Sequence, residues 1–440
     1  MKGFKITTLG CKVNQYESEA IRKELQAVGF TPIFDELNVE LCIINTCTVT
    51  KKASSQSRQA VRGAIRKYPK ARIIVTGCYA QVKGEDLFAI KGVDDIICHE
   101  DKSKVPELII ASCQSLFTKS HKKIGKRHIV NKRHASSYNN RTRAFLKIQD
   151  GCNAFCTYCI VPHARGRSRS EKTDKIFKEL NSLKSQGCRE VVLTGIHLGQ
   201  YGLDFSPKTS LFELLTKIQA TSPLDRVRLS SIEPNEMTED IIRLVARSEN
   251  FCHHFHIPLQ SGDNEILKRM GRPYTKEMFK RLVLSIHKSL SNAAIGVDIM
   301  VGFPGEGKRA FENTYSLVEE LPISYLHVFP FSPHKLTPAG SYPDRISSGE
   351  IKKRANKIRK LGLKKKMGFY SQYLGKVVEI LIESKRYEVN KVNYLKGMTS
   401  NYIPVLVKGD TSIQNTIVPV KLEKLNDSGL VFGTLGVWTK

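Results

Sequence analysis

The 440 residues contain no uninterrupted apolar run of about 18, the length that spans a bilayer. The opening Met1-Lys2-Gly3-Phe4-Lys5 also lacks the apolar core of a secretion signal. A membrane-spanning or exported protein is therefore not expected, and a soluble cytoplasmic one is. Acids are scarce: 42 Asp+Glu stand against 70 Lys+Arg, a net charge of +28. That surplus has to face water, where it attracts nucleic acid or an anionic membrane surface and repels a basic partner. No repeat of fixed period is present. With 40% apolar and 25% charged residues, disordered and fibrous classes are excluded as well. Disulfides are not expected: eleven cysteines are too odd a number for a closed set, and a reducing compartment turns such thiols toward metal or reactivity.

At about 150 residues per domain, roughly three domains are expected. From Phe4 to about Ile110, short apolar runs (4–9, 41–45, 72–76) alternate with helical periods (15–28, 54–67), which predicts a doubly wound α/β domain over 1–112. Between Leu108 and Gln149 there is no acid at all, while ten Lys/Arg occur, so 113–143 is read as a basic linker. A second α/β series follows over 144–368, with strands near 144–149, 190–194, 227–230, 254–258, 295–300 and 325–329. Six units are too few for a closed eight-fold barrel, so an open, partial (β/α)6 barrel is predicted. Residues 351–366 form a basic helical stretch with nine Lys/Arg, and five short strands over 369–440 predict a small OB-like β-barrel.

The most specific motif is Cys152-Asn153-Ala154-Phe155-Cys156-Thr157-Tyr158-Cys159, directly after the first strand of the second series. Three thiolates at this spacing wrap a cubane cluster and leave its fourth iron without a protein ligand. Zinc, with His163 as a fourth ligand, is the alternative. A second trio is less obvious. Cys11, Cys47 and Cys78 each follow a strand of the first series, and parallel strands bring such ends to one edge. Cys42, Cys98, Cys113, Cys188 and Cys252 lack either pattern and are read as structural. His253, His254 and His256 on one predicted strand are read as packed or hydrogen-bonded.

The cysteine loop resembles that of the radical S-adenosylmethionine (SAM) enzymes. With Thr8–Asn14, Ile44–Thr50, Val75–Gln81, Val192–Ile196, Leu229–Pro234, His256–Gly262 and Val301–Glu306, the whole chain resembles the radical SAM methylthiotransferases, closest to their MtaB-type, tRNA-modifying branch. The resemblance implies two [4Fe–4S] clusters, one on Cys152, Cys156 and Cys159 that binds and reductively cleaves SAM, and an auxiliary one on Cys11, Cys47 and Cys78 that presents activated sulfur. It implies that Tyr158 packs on the adenine of SAM and that the C-terminal barrel is a TRAM domain. It further implies tRNA as partner, with C2 of N6-threonylcarbamoyladenosine 37 as the target, an electron donor such as flavodoxin or ferredoxin, no membrane, and a monomer.

Other candidate cofactor contacts are Thr194 and Gly195, where relatives usually carry a Gly-Gly-Glu-like turn but this chain has Thr-Gly-Ile, and Glu233 and Gln260 beyond the next two strands. The loop Ser332–Pro338 also departs from the family pattern. The signature Gly10-Cys11-Lys12-Val13-Asn14 favours the threonylcarbamoyl branch over those acting on isopentenyladenosine or on a ribosomal-protein aspartate. Tyr387, Tyr394 and Tyr402, if exposed, can stack on bases. A non-catalytic iron–sulfur protein that binds RNA or senses redox state is the reading of another class.

Overall fold

Runs of Val, Ile and Leu that are apolar on both faces make central parallel strands, and five of these form the sheet of the first unit, which comprises Met1–Ser137 and Ile160–Gly166. The computed structural model describes residues 3–33, 38–99, 104–105, 107–108, 142–221 and 223–436. The strands are β1 (Gly3–Thr8), β2 (Thr31–Pro32), β3 (Leu41–Thr46), β4 (Arg72–Gly77) and β5 (Asp95–Ile97), in the order β2-β1-β3-β4-β5. Every residue of β3 is buried. The helix Lys12–Ala27 connects β1 to β2, and the helix Lys51–Lys67, capped by the Thr50 side chain at the Ala53 N–H (3.0 Å), connects β3 to β4. Because β2 and β3 lie on opposite sides of β1, the winding reverses there. At such a switch point the carboxyl ends of neighbouring strands leave a crevice for a ligand. The edge strands β2 and β5 were not expected; two and three residues are too few to show a period.

The second unit comprises Tyr138–Cys159 and Arg167–Lys440. Six of its strands run parallel in chain order: β6 (Arg143–Lys147), β9 (Glu190–Thr194), β10 (Arg226–Leu229), β11 (His254–Gln260), β12 (Ala294–Val301) and β13 (Tyr325–Pro330). They form two three-stranded sheets joined by the bridges Ser231↔His256 and Val227↔Phe251, the open six-stranded arc expected. A two-stranded ribbon, β7 (Gln149–Asp150) with β8 (Arg169–Ser170), flanks the cysteine loop. Helices such as Leu211–Thr221 and Glu239–Arg247 connect these strands.

Beyond the helix Ser348–Ser371, the strands β14 (Val377–Val389), β15 (Val392–Thr399), β16 (Pro404–Val407), β17 (Ile417–Leu425) and β18 (Val431–Leu435) close into a barrel in the order β14-β15-β16-β18-β17. Ile380, Val405, Val407, Val420 and Leu422 fill it without exposure. The turn after β15 seats against the amino ends of the core strands. Arg226 donates to the carbonyls of Met398 (2.8 Å) and Glu379 (3.0 Å), and Arg228 donates to those of Ser400 (2.8 Å) and Thr399 (3.2 Å). Tyr402 is therefore packed, the commoner role of a tyrosine in a small barrel, and is not an exposed base platform. It stacks on His254 at 4.5 Å and lies under the Arg228 guanidinium, closing the floor of the core. Tyr387 and Tyr394 are half-buried cross-strand partners.

Most of the predicted linker lies outside the described residues. Of the ten cations between Leu108 and Gln149, two that can be placed are held internally, Arg143 by Glu383 and Lys147 by Asp150. Among the described residues, no helix is long and apolar enough to cross a membrane.

Candidate active site

In the first unit, Cys11 sits at the N-cap of Lys12–Ala27, Cys47 follows β3, and Cys78 opens a short helix after β4. Hydrogen bonds lock the three loops together. The Asn14 amide donates to Leu9 O (2.7 Å) and Thr46 O (3.0 Å), and Asn45 donates to Asn14 O (3.0 Å). The Thr46 hydroxyl donates to Thr76 O (2.6 Å) and accepts from Ala80 N–H (3.3 Å). The approach is so close that a methyl group on Gly10, whose φ is +94°, would lie 2.8 Å from Cys47 Sγ, so only glycine fits there. Arg165, buried in the same unit, donates to Asn14 Oδ1 (2.6 Å) and Glu17 Oε1 (2.9 Å). Burial pushes the Cys47 thiol up to about 11, and the neighbouring Cys78 and Cys11 push the same way; the Val49 N–H and Arg165 oppose them. A group that binds here has to supply positive charge to draw thiolates together.

Sulfur spacing distinguishes a single ion from a cluster. A tetrahedral zinc with Zn–S bonds of about 2.3 Å needs its sulfurs about 3.8 Å apart. Among the described residues, neither cysteine trio brings its ligand atoms within 4.8 Å of one another, and no such group includes His163.

In the second unit, the loop after β6 carries Cys152, Cys156 and Cys159. Cys152 Sγ lies 3.1 Å from His197 Nδ1, and His197 Nε2 in turn meets the Glu236 carboxylate at 2.8 Å. Burial disfavours charge on His197, but its bonds to Cys152 and Glu236 outweigh this and raise its pKa. Arg272 donates to Cys156 Sγ (3.3 Å), is paired with Glu233 and bonds Tyr274 Oη (3.0 Å). Two cationic groups thus face thiols that carry negative charge when they bind metal. Gln149 bridges the loop to the end of β9: its Oε1 accepts from Ile196 and His197 N–H (3.0 and 2.8 Å) and its Nε2 donates to Gly151 O (2.8 Å).

The structure gathers Cys152, Cys156 and Cys159 with Tyr158, whose ring is half-buried and meets Phe303 edge-on at 6.4 Å. Thr194 ends β9 and is buried; Gly195 passes over Gln149 so closely that a Cβ would lie 2.9 Å from its Oε1. Gln260 ends β11 at a register shift with φ +65°, an irregularity that re-aims a side chain. Glu233 lies against Arg272. Directly after the divergent loop Ser332–Pro338, Ala339 donates its N–H to Thr157 O of the cysteine loop (2.8 Å). His254 bonds Tyr325 Oη (2.7 Å), as expected of a packed histidine. Cys42, Cys188 and Cys252 are buried, Cys98 is half-buried, and Cys113 lies outside the described residues. Sequence reasoning missed His197, Glu236, Arg272 and Arg165. His197 directly follows the motif Val192–Ile196, but the two arginines have no local signal.

Residues 146–318 match the radical SAM superfamily, and residues 3–99 match the Uncharacterized protein family UPF0004. The chain is 39% identical to the threonylcarbamoyladenosine tRNA methylthiotransferase MtaB of Bacillus subtilis, over 95% of this chain and 93% of that protein. It is 34% identical to the protein of the same name from Aquifex aeolicus, over 91% and 96%. It is also 34% identical to a tRNA-2-methylthio-N(6)-dimethylallyladenosine synthase of Clostridium botulinum, over 97% and 96%. The radical S-adenosylmethionine methyltransferase TsrM of Kitasatospora setae shares the fold, with a TM-score of 0.57 over 77% of this chain and 75% of that one at 16% identity. With such identity sustained across nearly its full length and a CxxxCxxC loop heading an open six-stranded barrel, the chain belongs to the methylthiotransferase family of radical SAM enzymes, which use SAM and [4Fe–4S] clusters.

Proposed function

We propose that this enzyme adds a methylthio group to C2 of N6-threonylcarbamoyladenosine in tRNA, with Cys152, Cys156 and Cys159 holding the SAM-binding cluster and Cys11, Cys47 and Cys78 an auxiliary one. The observation that carries this reading is the pair of three-cysteine sites, each at the carboxyl ends of parallel strands. The higher identity to the threonylcarbamoyladenosine enzyme (39%) than to the dimethylallyladenosine enzyme (34%) favours the substrate.

When bound, the clusters and SAM supply radical abstraction of an unreactive aromatic hydrogen and the sulfur that replaces it. The chain's own residues do the rest. His197 and Arg272 orient Cys152 and Cys156, Tyr158 offers an aromatic face for adenine, and Thr194, Gly195, Glu233 and Gln260 line the strand ends around the cofactor. The domain limits that go with this reading are 1–112 for the auxiliary-cluster domain, 144–368 for the radical core and 369–440 for a TRAM-like barrel. The protein works as a cytoplasmic monomer fed by a flavodoxin- or ferredoxin-like donor.

An RNA partner suits the charge. On the helix Ser348–Ser371, Lys353, Lys360 and Lys364 are exposed along one face, while Arg354 and Lys357 are held by Glu306 and Glu312. Mass spectrometry of tRNA nucleosides from cells lacking the protein is expected to show loss of the methylthio form of threonylcarbamoyladenosine. An unchanged level of that nucleoside, with loss of the methylthio isopentenyl form or of methylthio-aspartate in a ribosomal protein, would overturn the assignment.

A further inference from the structure

Inside the radical core, three side chains from adjacent strands converge apart from both cysteine trios. The Asp298 carboxylate on β12 accepts from His256 Nε2 on β11 (3.0 Å) and from His327 Nδ1 on β13 (3.2 Å) through the same Oδ1. The remaining nitrogen of His256 is taken by Ser231 Oγ at 2.5 Å, and that ring is buried. His327 differs: its side chain is 50% exposed, and Nε2 is the atom left to meet a ligand. Along the same face of β13, Phe329 is 42% exposed and meets His327 edge-on at 6.4 Å.

This face is the inner one. Leu326, of opposite parity, lies on Gly362 of the helix behind, and Tyr325 crosses Gly296 of β12 to bond His254. Tyr325 and Tyr402 close the lumen below, with ring centroids 5.7 Å apart. Above His327 and Phe329, the strand continues to Phe331, which packs on Phe303, the ring that meets Tyr158 of the cysteine loop.

We propose that Phe329 and His327 seat the substrate nucleoside, the phenyl ring stacking on the purine and His327 Nε2 binding the carboxylate of its N6 substituent. The ligand carboxylate accepts a charge-assisted hydrogen bond at Nε2 while Asp298 holds the ring at Nδ1. Asp298 positions the ring, and Ser231 fixes His256 so that His256 does not compete for the ligand. A threonylcarbamoyl group carries such a carboxylate and an isopentenyl group does not, so His327 is a specificity-determining residue. The inference rests on the substrate proposed above.

The test uses two synthetic anticodon stem-loops, one with threonylcarbamoyladenosine and one with isopentenyladenosine. Binding is measured by fluorescence anisotropy on the purified chain and turnover on the reconstituted enzyme. His327→Gln is expected to raise Kd and KM for the threonylcarbamoyl RNA about tenfold or more, the loss of one charge-assisted hydrogen bond, while the isopentenyl RNA and SAM cleavage are unmoved. Phe329→Ala is expected to weaken both RNAs roughly five- to hundredfold. Full retention of the threonylcarbamoyl preference by His327→Gln, in an enzyme whose wild type shows it, would overturn this inference alone. A wild type that methylthiolates neither RNA would overturn the substrate reading beneath it. One tightly held zinc or iron per cluster-free chain that disappears with His327→Gln would make the trio a metal site and overturn the proposal.

Discussion

With Cys47 replaced by alanine, the enzyme is expected to keep releasing 5′-deoxyadenosine from SAM while forming no methylthio product. The reason is the separation of roles between two sites. Cys47 lies between Cys11 and Cys78 in loops tied by Asn14, Asn45 and Thr46, and none of these bonds involves the loop that carries Cys152, Cys156 and Cys159. Alanine removes a ligand without a polar group to satisfy, and Cys47 N–H and C=O keep their bonds to the Ser57 hydroxyl (3.1 and 2.8 Å). The fold should therefore survive. Chromatography of SAM cleavage products beside nucleoside analysis of the RNA reads both activities; loss of 5′-deoxyadenosine together with product would contradict the division.

The largest stability effect is expected at Arg228. Its guanidinium is 1% exposed and bonds Glu190, itself fully buried, at 2.7 and 3.2 Å while also donating to two carbonyls of the terminal barrel. Arg228→Ala strands the Glu190 charge and two carbonyls, a cost of about 3–5 kcal/mol, or roughly a 10 °C fall in Tm. Burial alone would raise the Glu190 carboxyl, but Arg228 outweighs it and holds the pKa below its ordinary value of 4.5. A depressed carboxylate gives stability that is present above that value and lost as pH falls through the folded one. Without Arg228 burial dominates and the neutral acid is favoured, so the deficit of the variant should shrink between pH 8 and pH 5. Calorimetry across that range checks both, and the double replacement Glu190→Gln with Arg228→Met should recover most of the loss. A deficit that does not change with pH would mean that Glu190 is not the stranded group.

The particular elements explain what could be read beforehand. The strands at 41–46, 72–77 and 190–194 are apolar on both faces and end at Gly or Thr, so their ends, and with them Cys47 and Cys78, were legible. Asn14 and Gly10 were visible as motif letters, but their reason, the closure of three loops around Cys47, needs the fold. Arg272 meets Cys156 across 116 residues and Arg165 meets Glu17 across 148, and no local pattern encodes such pairs. Tyr402 shows a different limit. An aromatic between strands does not reveal which side it faces, and here tertiary packing takes it into the floor of the core.

The most direct measurement is iron and acid-labile sulfide in protein reconstituted without oxygen. Two cubane sites require about eight irons per chain in the wild type, and about four when either Cys11, Cys47 and Cys78 or Cys152, Cys156 and Cys159 are replaced by alanine. An unchanged iron content in either triple variant, or zinc without sulfide in the wild type, would contradict the account.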